Sequence, residues 1–491
     1  MKFLASLILL LNILSAQNNI DIDSLQNNTG IKNNLSELRT ELDDIFNDPN
    51  FSNAFWGVSI QSLKTGETFY KLNSDKLFKP ASLIKLFTSS NALLLLGSRY
   101  QYRTEFFIDG NISNGILNGN LFIIGSGDPT IMIEDTFEHW LDSLNHKGIF
   151  SIKGNIIIDD RNFRQDKYGA GWLAEYMEDW FAPTTGAFCL NKNAIEIKIE
   201  PTKIHQSAQI SFNTEFIENY EVINHVITST KNSAVEVKIN RIGNNIIDLI
   251  GKIPVTTEPY SVYIPVNNAS QYFLNSFYEF LLDEGVEITG NAVKLDEYDK
   301  NYDFNNTIPL FTHKSEQLTK IVSEINKKSD NLLAEQLLKT IGFEIYGYGS
   351  TSNGIKAVKE LKQGMGINPN NFIMADGSGL SSYNLLTPKQ VVNLLAYMYR
   401  SSEFDSFYKS LAIAGYDGTL LDRMKGTKAE NNFRGKSAFL ENTRGLAGYI
   451  KTADGEPLAL ALIVNNFLVP SQLANYIQDK VCNRLANFTR N

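Results

Sequence analysis

The sequence predicts an α/β (α+β) domain that is interrupted by a large, mostly β insertion. Helical and β-type segments alternate at residues 17–100 and again at 308–491. Between them, residues 101–307 hold short β-type runs separated by Gly, Asn and Asp turns. A segment of roughly 200 residues is too long for a loop in a compact domain, so we expect an insertion of two subdomains.

Composition narrows the class of protein. The 491 residues are 43% hydrophobic and 20% charged, which is typical of a soluble globular protein. The net charge is -9 and no basic tract appears, so a nucleic acid is not an expected partner. The histidines and cysteines show no metal-ligand spacing, and we expect neither a metal nor a cofactor. Cys189 and Cys482 are expected to be two buried thiols, although export would permit a disulfide.

Residues 1–16 have the pattern of a secretory signal peptide. Lys2 precedes an apolar run at 3–14, and Ala16 is a small residue before a cleavage site at Gln17. The run is too short to span a membrane, and no other apolar run reaches that length. We therefore expect an exported, soluble mature protein, which would be periplasmic in a cell with a Gram-negative envelope.

Four secondary-structure elements are predicted in the first segment, residues 17–100. They are a helix at 31–46, strands at 56–60 and 68–70, and a helix that runs from residue 82 to Gly97. Within the insertion, strands are predicted at 102–108, 121–124, 154–158, 195–199, 235–239 and 246–250. A helix at 270–284 closes it, with Ser270 as a possible cap.

The last segment begins with sequence patterns typical of helices and continues with patterns typical of strands. Helices are predicted at 315–325, at 331–341 and from Thr387-Pro388, strands at 435–439, 446–452 and 457–464, and a last helix at 471–486. The glycine-rich stretch 347–354 is predicted to be a surface loop. It is no phosphate-binding loop, because no Lys-Ser/Thr pair follows Gly354.

Ser82 and Lys85 form the first candidate site. Three residues apart in a helix, they share one face within contact distance. A serine hydroxyl is a poor nucleophile until a base takes its proton, and a lysine in apolar surroundings has a lowered pKa that suits this task. The helix N-terminus adds N–H groups where an oxyanion would develop. The pair alone is equally compatible with a capping serine and a lysine that reaches the surface.

Two further motifs add the groups that such a site needs. Ser329-Asp330-Asn331 lies between two predicted helices and offers a hydroxyl and an amide. Lys436-Ser437-Ala438 begins a predicted strand, whose edge can pair with an extended substrate. Ser382-Tyr383-Asn384 is a second Ser-x-Asn, but the helix that follows Asn331 favours the first. Lys64-Thr65-Gly66 precedes Ser82 and is explained by a hairpin turn.

The order Ser-x-x-Lys, Ser-x-Asn, Lys-Ser-Ala resembles the three motifs of penicillin-recognising serine enzymes. Further strings are GSGDPT at 125–130, GNIIID at 154–159, DGSGLS at 376–381 and AGYDGTL at 414–420. With these, nearly the whole mature chain resembles the D-alanyl-D-alanine carboxypeptidases/endopeptidases of the class C low-molecular-mass penicillin-binding proteins, the penicillin-binding protein 4 type. The resemblance implies a penicillin-binding-protein/β-lactamase-like transpeptidase domain, an antiparallel sheet flanked by helices.

The resemblance also implies the catalytic roles. Ser82 attacks a D-Ala-D-Ala carbonyl of a peptidoglycan stem peptide and forms an acyl-enzyme, with Lys85 as the base. Ser329 relays a proton to the leaving amine, and Asn331 positions Lys85 and the substrate amide. β-Lactams are expected to acylate Ser82, because their strained amide mimics the same carbonyl.

Substrate binding is implied for the third motif. Lys436 and Ser437 would address the terminal carboxylate, and the N–H groups of Ser82 and Phe439 would form the oxyanion hole. Ala438 replaces the usual Gly, and we expect it to affect activity or specificity rather than to inactivate the site.

An acidic residue near the substrate's amino end, used by some members, corresponds to Glu175 or Asp179. Two alternatives remain at this point. A β-lactamase or esterase would share the acylating residues and differ in fast release of the acyl group. A non-catalytic cell-wall-binding protein would explain Ala438 as early decay. The intact motif residues and the large insertion favour the peptidase, which the motifs allow to be a carboxypeptidase, an endopeptidase or both.

Overall fold

The structure is a computed structural model that describes residues 35–166, 168–176, 179–212, 220–243 and 246–490. The predicted signal peptide at 1–16 and the first residues of the predicted helix at 31–46 lie outside these ranges. The α-helices are α1 Leu35–Phe46, α2 Ile84–Leu96, α3 Glu138–His146, α4 Ala269–Asp283, α5 Leu295–Tyr298, α6 Leu318–Lys328, α7 Asn331–Tyr346, α8 Thr351–Leu361, α9 Pro388–Tyr399, α10 Phe404–Ser410 and α11 Ser471–Ala486.

The strands and the short helical turns complete the described elements. The strands are β1 Phe55–Ser62, β2 Thr68–Leu72, β3 Arg103–Ile108, β4 Asn111–Ser113, β5 Ile116–Asn118, β6 Leu121–Ile124, β7 Ser151–Ile152, β8 Ile156–Asp159, β9 Ala194–Glu200, β10 Gln209–Phe212, β11 Glu221–Ser229, β12 Glu236–Ile242, β13 Ile246–Pro254, β14 Tyr260–Pro265, β15 Glu287–Ile288, β16 Ala292–Lys294, β17 Ile308–Lys314, β18 Ala412–Ile413, β19 Arg434–Leu440, β20 Thr443–Lys451 and β21 Pro457–Asn465. A π-helical turn occupies Ile133–Phe137, and 3-10 turns occupy Pro49–Phe51, Ala81–Leu83, Ala174–Tyr176, Asn191–Asn193, Phe304–Asn306, Lys362–Met365, Pro369–Asn371 and Gly418–Leu420.

A six-stranded antiparallel sheet joins the two ends of the chain, in the order β18-β19-β20-β21-β1-β2. β1 pairs with β21 along its whole length, from Phe55 opposite Asn465 to Ser62 opposite Leu458. The strand order therefore places the first and last segments of the chain side by side. This is the antiparallel sheet that the resemblance implies.

Helices cover both faces of this sheet, and the sequence of β21 shows why. Side chains alternate between the faces of a strand, so a strand covered on both sides is apolar throughout. Leu458, Leu460, Leu462 and Val464 belong to the core shared with α1 and α11. Ala459, Ala461 and Ile463 belong to the core shared with α2, α6, α7 and α9. The small alanines on the second face leave room for these helices to approach the sheet.

The described residues of the insertion form four smaller sheets around a core of their own. The strand orders are β16-β8-β6-β3-β17, β15-β7-β5-β4, β10-β9-β14 and β11-β13-β12. Helices α3 and α4 contribute aromatic side chains to this core, among them Trp140, Phe273 and Phe277. Strand β17 pairs with β3, so the five-stranded sheet includes a strand beyond the predicted boundary at residue 307.

Two local predictions were wrong. The helix predicted at 270–284 is capped by Asn268, whose side chain accepts from the N–H of Gln271, while Ser270 is buried inside the first turn. The stretch 347–354 is not a loop throughout, because Ser350 caps α8 and Gly354 lies in that helix. A Cβ at Gly354 would lie 2.1 Å from the carbonyl oxygen of Leu338. The glycine therefore serves close packing of α8 on α7, which glycine content alone does not reveal.

Cys189 and Cys482 are buried free thiols, as predicted. Within the described ranges, no helix combines the length and apolar character that a bilayer crossing requires. The same ranges contain no group of three or more His, Cys, Asp and Glu residues arranged to hold a metal ion.

Candidate active site

Ser82 lies on a constrained turn at the start of α2. The 3-10 turn Ala81–Leu83 leads directly into this helix, and Ala81 has a φ of 47°. This left-handed conformation costs a non-glycine residue about 1–2 kcal/mol, so surrounding contacts must hold it. One such contact is at Gly379, where a Cβ would lie 2.0 Å from the carbonyl oxygen of Ala81. Glycine at this position lets the loop 376–381 pack against the backbone that presents Ser82.

The Lys85 amine connects Ser82 to the second motif. Its Nζ donates to Ser82 Oγ at 3.2 Å and to Asn331 Oδ1 at 2.6 Å. A third hydrogen bond, at 2.6 Å, goes to the carbonyl oxygen of Ser378. All three donors of a lysine ammonium are thus directed at named acceptors. The structure thus brings together Ser82, Lys85 and Asn331, which the sequence predicts to be the nucleophile, the base and the positioning amide.

The environment of Lys85 suits a proton acceptor. The side chain is 0% exposed. Burial lowers the pKa of Lys85 to about 8, although the carboxylates of Asp376, Glu335 and Asp330 act in the opposite direction. A useful fraction of such a lysine is neutral near neutral pH and can take a proton from Ser82.

The second motif occupies the junction of two helices. Ser329 ends α6 in the left-handed conformation, with a φ of 63°, and lines the cleft. Asp330 then caps α7, since its carboxylate accepts from the N–H of Leu333 at 3.0 Å. Asn331 donates through Nδ2 to the carbonyl oxygen of Phe181 at 2.7 Å. The sharp reversal at Ser329 and the cap at Asp330 set both polar side chains at one end of α7.

The third motif lies on β19. Because successive side chains point to opposite faces of a strand, Ser437 lies on one face, and Lys436 and Ala438 lie on the other. Lys436 is 0% exposed and donates to the carbonyl oxygen of Ser437 at 2.6 Å. Burial, aided by the charge of Lys85, holds the pKa of Lys436 well below its usual range. Ser437 lines the cleft, and its hydroxyl donates to Thr419 Oγ1 at 2.7 Å. Phe439 also lines the cleft and is 67% exposed.

Comparison with known proteins agrees with this geometry. A family model described as D-Ala-D-Ala carboxypeptidase 3 (S13) family matches residues 38–488. The chain belongs to this family. Membership confirms the predicted family, fold class and class of enzyme, a serine peptidase that hydrolyses D-Ala-D-Ala bonds.

Relatives of this S13 peptidase span almost all of it. A D-alanyl-D-alanine carboxypeptidase of Actinomadura sp. (strain R39) is 29% identical over 471 residues, which are 92% of this chain and 85% of that protein. The crystal structure of penicillin binding protein 4 (dacB) from Haemophilus influenzae has a TM-score of 0.80 at 24% identity, over 91% of this chain and 99% of that one. The structure of its complex with a novel β-lactam has a TM-score of 0.74 at 24% identity, over 91% of this chain and 100% of that one.

Two buried carboxylates, which the sequence did not reveal, lie next to the predicted site residues of this S13 peptidase. Glu335 accepts from the N–H of Gly377 at 3.0 Å and from that of Ser378 at 2.8 Å. Asp376 accepts from the N–H of Gly379 at 2.8 Å and from Trp172 Nε1 at 3.0 Å. These bonds fix the loop 376–381, whose Ser378 carbonyl meets Lys85. Glu335 follows Asn331 by one helical turn, and this spacing was the sequence signal that could have placed Glu335 on the same face of the helix.

The rejected Ser-x-Asn motif has a structural part in the same loop. Asn384 is buried and donates through Nδ2 to Asp376 Oδ1 at 2.7 Å. The hydroxyl of Ser382 donates to the carbonyl oxygen of Gly171 at 3.1 Å. Neither residue is in hydrogen-bond contact with Lys85, so the geometry favours Ser329 and Asn331 as the second motif.

A cleft of about 720 Å³ in this S13 peptidase is lined by the predicted site residues Ser82, Ser329, Asn331, Ser437 and Phe439. Of the two acidic candidates in the insertion, Glu175 lines this cleft. Tyr176 and Phe181 line it as well, so the segment around 171–183 forms one wall. Ala438 is 4% exposed, and its partner across the strands is Gly445, so its methyl belongs to the core on the side of Leu83.

Proposed function

We propose that this S13 carboxypeptidase cleaves the terminal D-alanyl-D-alanine bond of peptidoglycan stem peptides through an acyl-enzyme on Ser82. The observation that supports this most directly is the position of the Lys85 amine, which is buried beside Ser82. It lies 3.2 Å from Ser82 Oγ and 2.6 Å from Asn331 Oδ1. A buried base in contact with a serine hydroxyl is the arrangement that activates a nucleophile.

Acylation follows from these positions. Neutral Lys85 takes the proton of Ser82 Oγ while the oxygen attacks the carbonyl carbon of the penultimate D-Ala residue. The C–N bond then breaks, and the leaving amine receives a proton through Ser329, which lines the same cleft. Backbone N–H groups of Ser82 and Phe439 stabilise the oxyanion of the tetrahedral intermediate.

Deacylation and substrate binding use the remaining residues. Water attacks the Ser82 ester, its proton returns to the serine oxygen, and the shortened peptide leaves with a new carboxylate. Ser437 faces the terminal carboxylate, and Glu175 faces the amino end of the peptide from the opposite wall. Lys436 is buried on the other side of β19, near Lys85, and tunes the proton network of the site. β-Lactams acylate Ser82 because their amide carbonyl occupies the same position. Since peptidoglycan lies outside the cytoplasm, residues 1–16 act as an export signal to the periplasm.

Covalent labelling tests the proposal. The mature protein is incubated with a penicillin, its intact mass is measured, and the labelled peptide is mapped. We expect one adduct per chain on the peptide that contains Ser82, slow loss of that adduct, and release of D-Ala from a peptide ending in D-Ala-D-Ala. Rapid loss of the adduct would favour a β-lactamase instead. No adduct at any dose would favour the non-catalytic wall-binding protein.

Contrary to the expectation from the sequence, Ala438→Gly should leave acylation by penicillin within about threefold of the wild-type rate, because the methyl is buried in the core and not in the cleft. Stability should fall by roughly 1 kcal/mol, from the lost methyl contact and the added backbone freedom. The measurements are the second-order acylation rate and thermal unfolding. Gly445→Ala is the matched comparison, because it adds a methyl to the same part of the core instead of removing one. The added Cβ would lie 2.9 Å from Leu83 Cδ1. A tenfold faster Ala438→Gly enzyme would show that the methyl obstructs substrate.

Glu335→Gln is expected to move the acidic limb of the acylation profile to lower pH. The Glu335 carboxylate raises the pKa of Lys85, so its removal lowers that pKa and frees the neutral base at lower pH. Acylation rates with penicillin from about pH 6 to pH 9 measure the shift. Glu344→Gln on the same helix is the control, because Glu344 is exposed and bonds Tyr100. A limb displaced to higher pH would contradict the assignment of Lys85 as the base.

A further inference from the structure

Arg444 is the basic residue among the described residues that line the catalytic cleft. Its side chain is 7% exposed. In the described part of the chain, no carboxylate lies within 4.0 Å of its guanidinium. Burial, aided by the charge of Arg423, lowers the pKa of Arg444 to about 10, which leaves it charged at neutral pH. A nearly buried cation without a counter-ion is costly unless a ligand supplies one.

The guanidinium is held in one position by the hairpin of β19 and β20. Nη1 donates to the carbonyl oxygens of Leu440 at 3.2 Å and Thr443 at 2.8 Å. The guanidinium carbon lies 3.9 Å from the centre of the Phe439 ring. Nε and Nη2 make no hydrogen bond within the described ranges. Two donor nitrogens of a fixed fork thus stay available, and such a fork matches the two oxygens of a carboxylate.

The strand register sets Arg444 beside the residue that addresses the substrate carboxylate. Arg444 pairs with Phe439, and Leu446 pairs with Ser437. Because side chains two residues apart share one face of a strand, Ser437, Phe439 and Arg444 lie on the same face of the hairpin. Diagonal neighbours of this kind are about 7–8 Å apart at Cα, which is within reach of an arginine side chain.

We propose that Arg444 binds the carboxylate on the carbon that carries the leaving amine, together with Ser437. This inference rests on the proposed acyl transfer at Ser82 and adds a specificity-determining residue to it. The substrate carboxylate supplies the missing counter-ion, and the fork fixes the leaving residue while Ser82 attacks. The site therefore discriminates between a peptide that ends in a free carboxylate and the same peptide that ends in a carboxamide.

The test compares two peptides that differ only at this group. One ends in D-Ala-D-Ala with a free carboxylate, and the other ends in D-Ala-D-Ala carboxamide. For Arg444→Gln we expect kcat/KM on the acid to fall about 10- to 100-fold, because a hydrogen-bonded ion pair is lost. On the carboxamide the change should stay within about threefold. Arg444→Lys should be intermediate, since it keeps the charge and loses the fork.

Arg434→Gln is the matched control. Arg434 lies on β19, the other strand of the same hairpin, and its guanidinium carbon is 4.9 Å from the centre of the Tyr408 ring. We expect it to leave the ratio of the two peptides unchanged. Rates are divided by the concentration of sites that penicillin labels, so partial misfolding of a variant does not enter the ratio.

Two results would overturn the role of Arg444. One is an equal fall on both peptides in Arg444→Gln, which would make the residue a support for the hairpin. The other is no change on either peptide. Both are distinct from failure of the proposed function, in which the wild-type protein itself takes up no penicillin.

Discussion

Ser82→Ala is expected to form no penicillin adduct and to release D-Ala at least about 10⁴-fold more slowly than the wild type. The reason is that the acyl group has no oxygen to bind, while Lys85, Asn331 and the cleft remain in place. Only direct attack by water would remain, helped by the oxyanion donors. Intact mass after incubation with penicillin and a D-Ala release assay measure the two effects.

Ser90→Ala is the matched control for this variant. Ser90 is also buried in α2, and its hydroxyl bonds only the carbonyl oxygen of Phe87, at 3.3 Å, among its described contacts. The control should label fully and keep its activity within about twofold, because the change removes one long hydrogen bond within the helix and touches no group of the cleft. An adduct that persists in Ser82→Ala would assign the nucleophile to another residue.

Lys85→Met is expected to slow acylation by about 10²- to 10⁴-fold, the usual contribution of a general base. Methionine is similar in length and suits a position that is 0% exposed. The acidic limb of the pH profile should disappear with the group that produces it. The same change removes a buried charge and leaves Asn331 Oδ1 and the Ser378 carbonyl oxygen without their donor.

Lys339→Met is the control for Lys85→Met, because it removes a buried lysine that has no predicted part in catalysis. Lys339 is 1% exposed and donates to Asp166 at 3.0 Å and to the Arg164 carbonyl oxygen at 2.6 Å. Its loss should destabilise the protein by about 1–3 kcal/mol, since the carbonyl oxygen of Arg164 loses its donor while Asp166 keeps its ion pair with Arg164 at 2.8 Å. Acylation per folded chain should not change. If both lysine variants acylate equally slowly per folded chain, Lys85 is not the base.

The fold class was predictable because its signals are local. The apolar run of β21 and the alternation of strands and helices at both ends of the chain are visible in the sequence, and the cap at Thr387 was recognised from its residue type and the following proline. The motif residues were found because short spacings in a helix or strand fix their relative positions. Even the orientation of Ala438 follows from alternation, since it must face away from Ser437.

The supporting residues could not be predicted in the same way. Glu335 acts on Lys85, which is distant from it in the sequence. Asp376 holds a loop and Arg444 contacts an aromatic ring, and no sequence pattern marks either contact. Their roles depend on which backbone N–H groups and rings the completed fold brings to them. The cap at Asn268 and the helix at Gly354 were missed for a related reason, because tertiary packing decided between several local choices.

The pairing of β1 with β21 has a consequence for how the protein matures. Strand β1 belongs to the first segment to emerge during synthesis, and β21 belongs to the last. Until the last strand arrives, β1 has a free edge, and such edges attract other chains. Assembly of the catalytic sheet is therefore a late, long-range step that follows complete synthesis, and contacts of this kind fold slowly. A chain that lacks β21 therefore leaves β1 exposed, and penicillin binding is expected to report that the catalytic sheet has been completed.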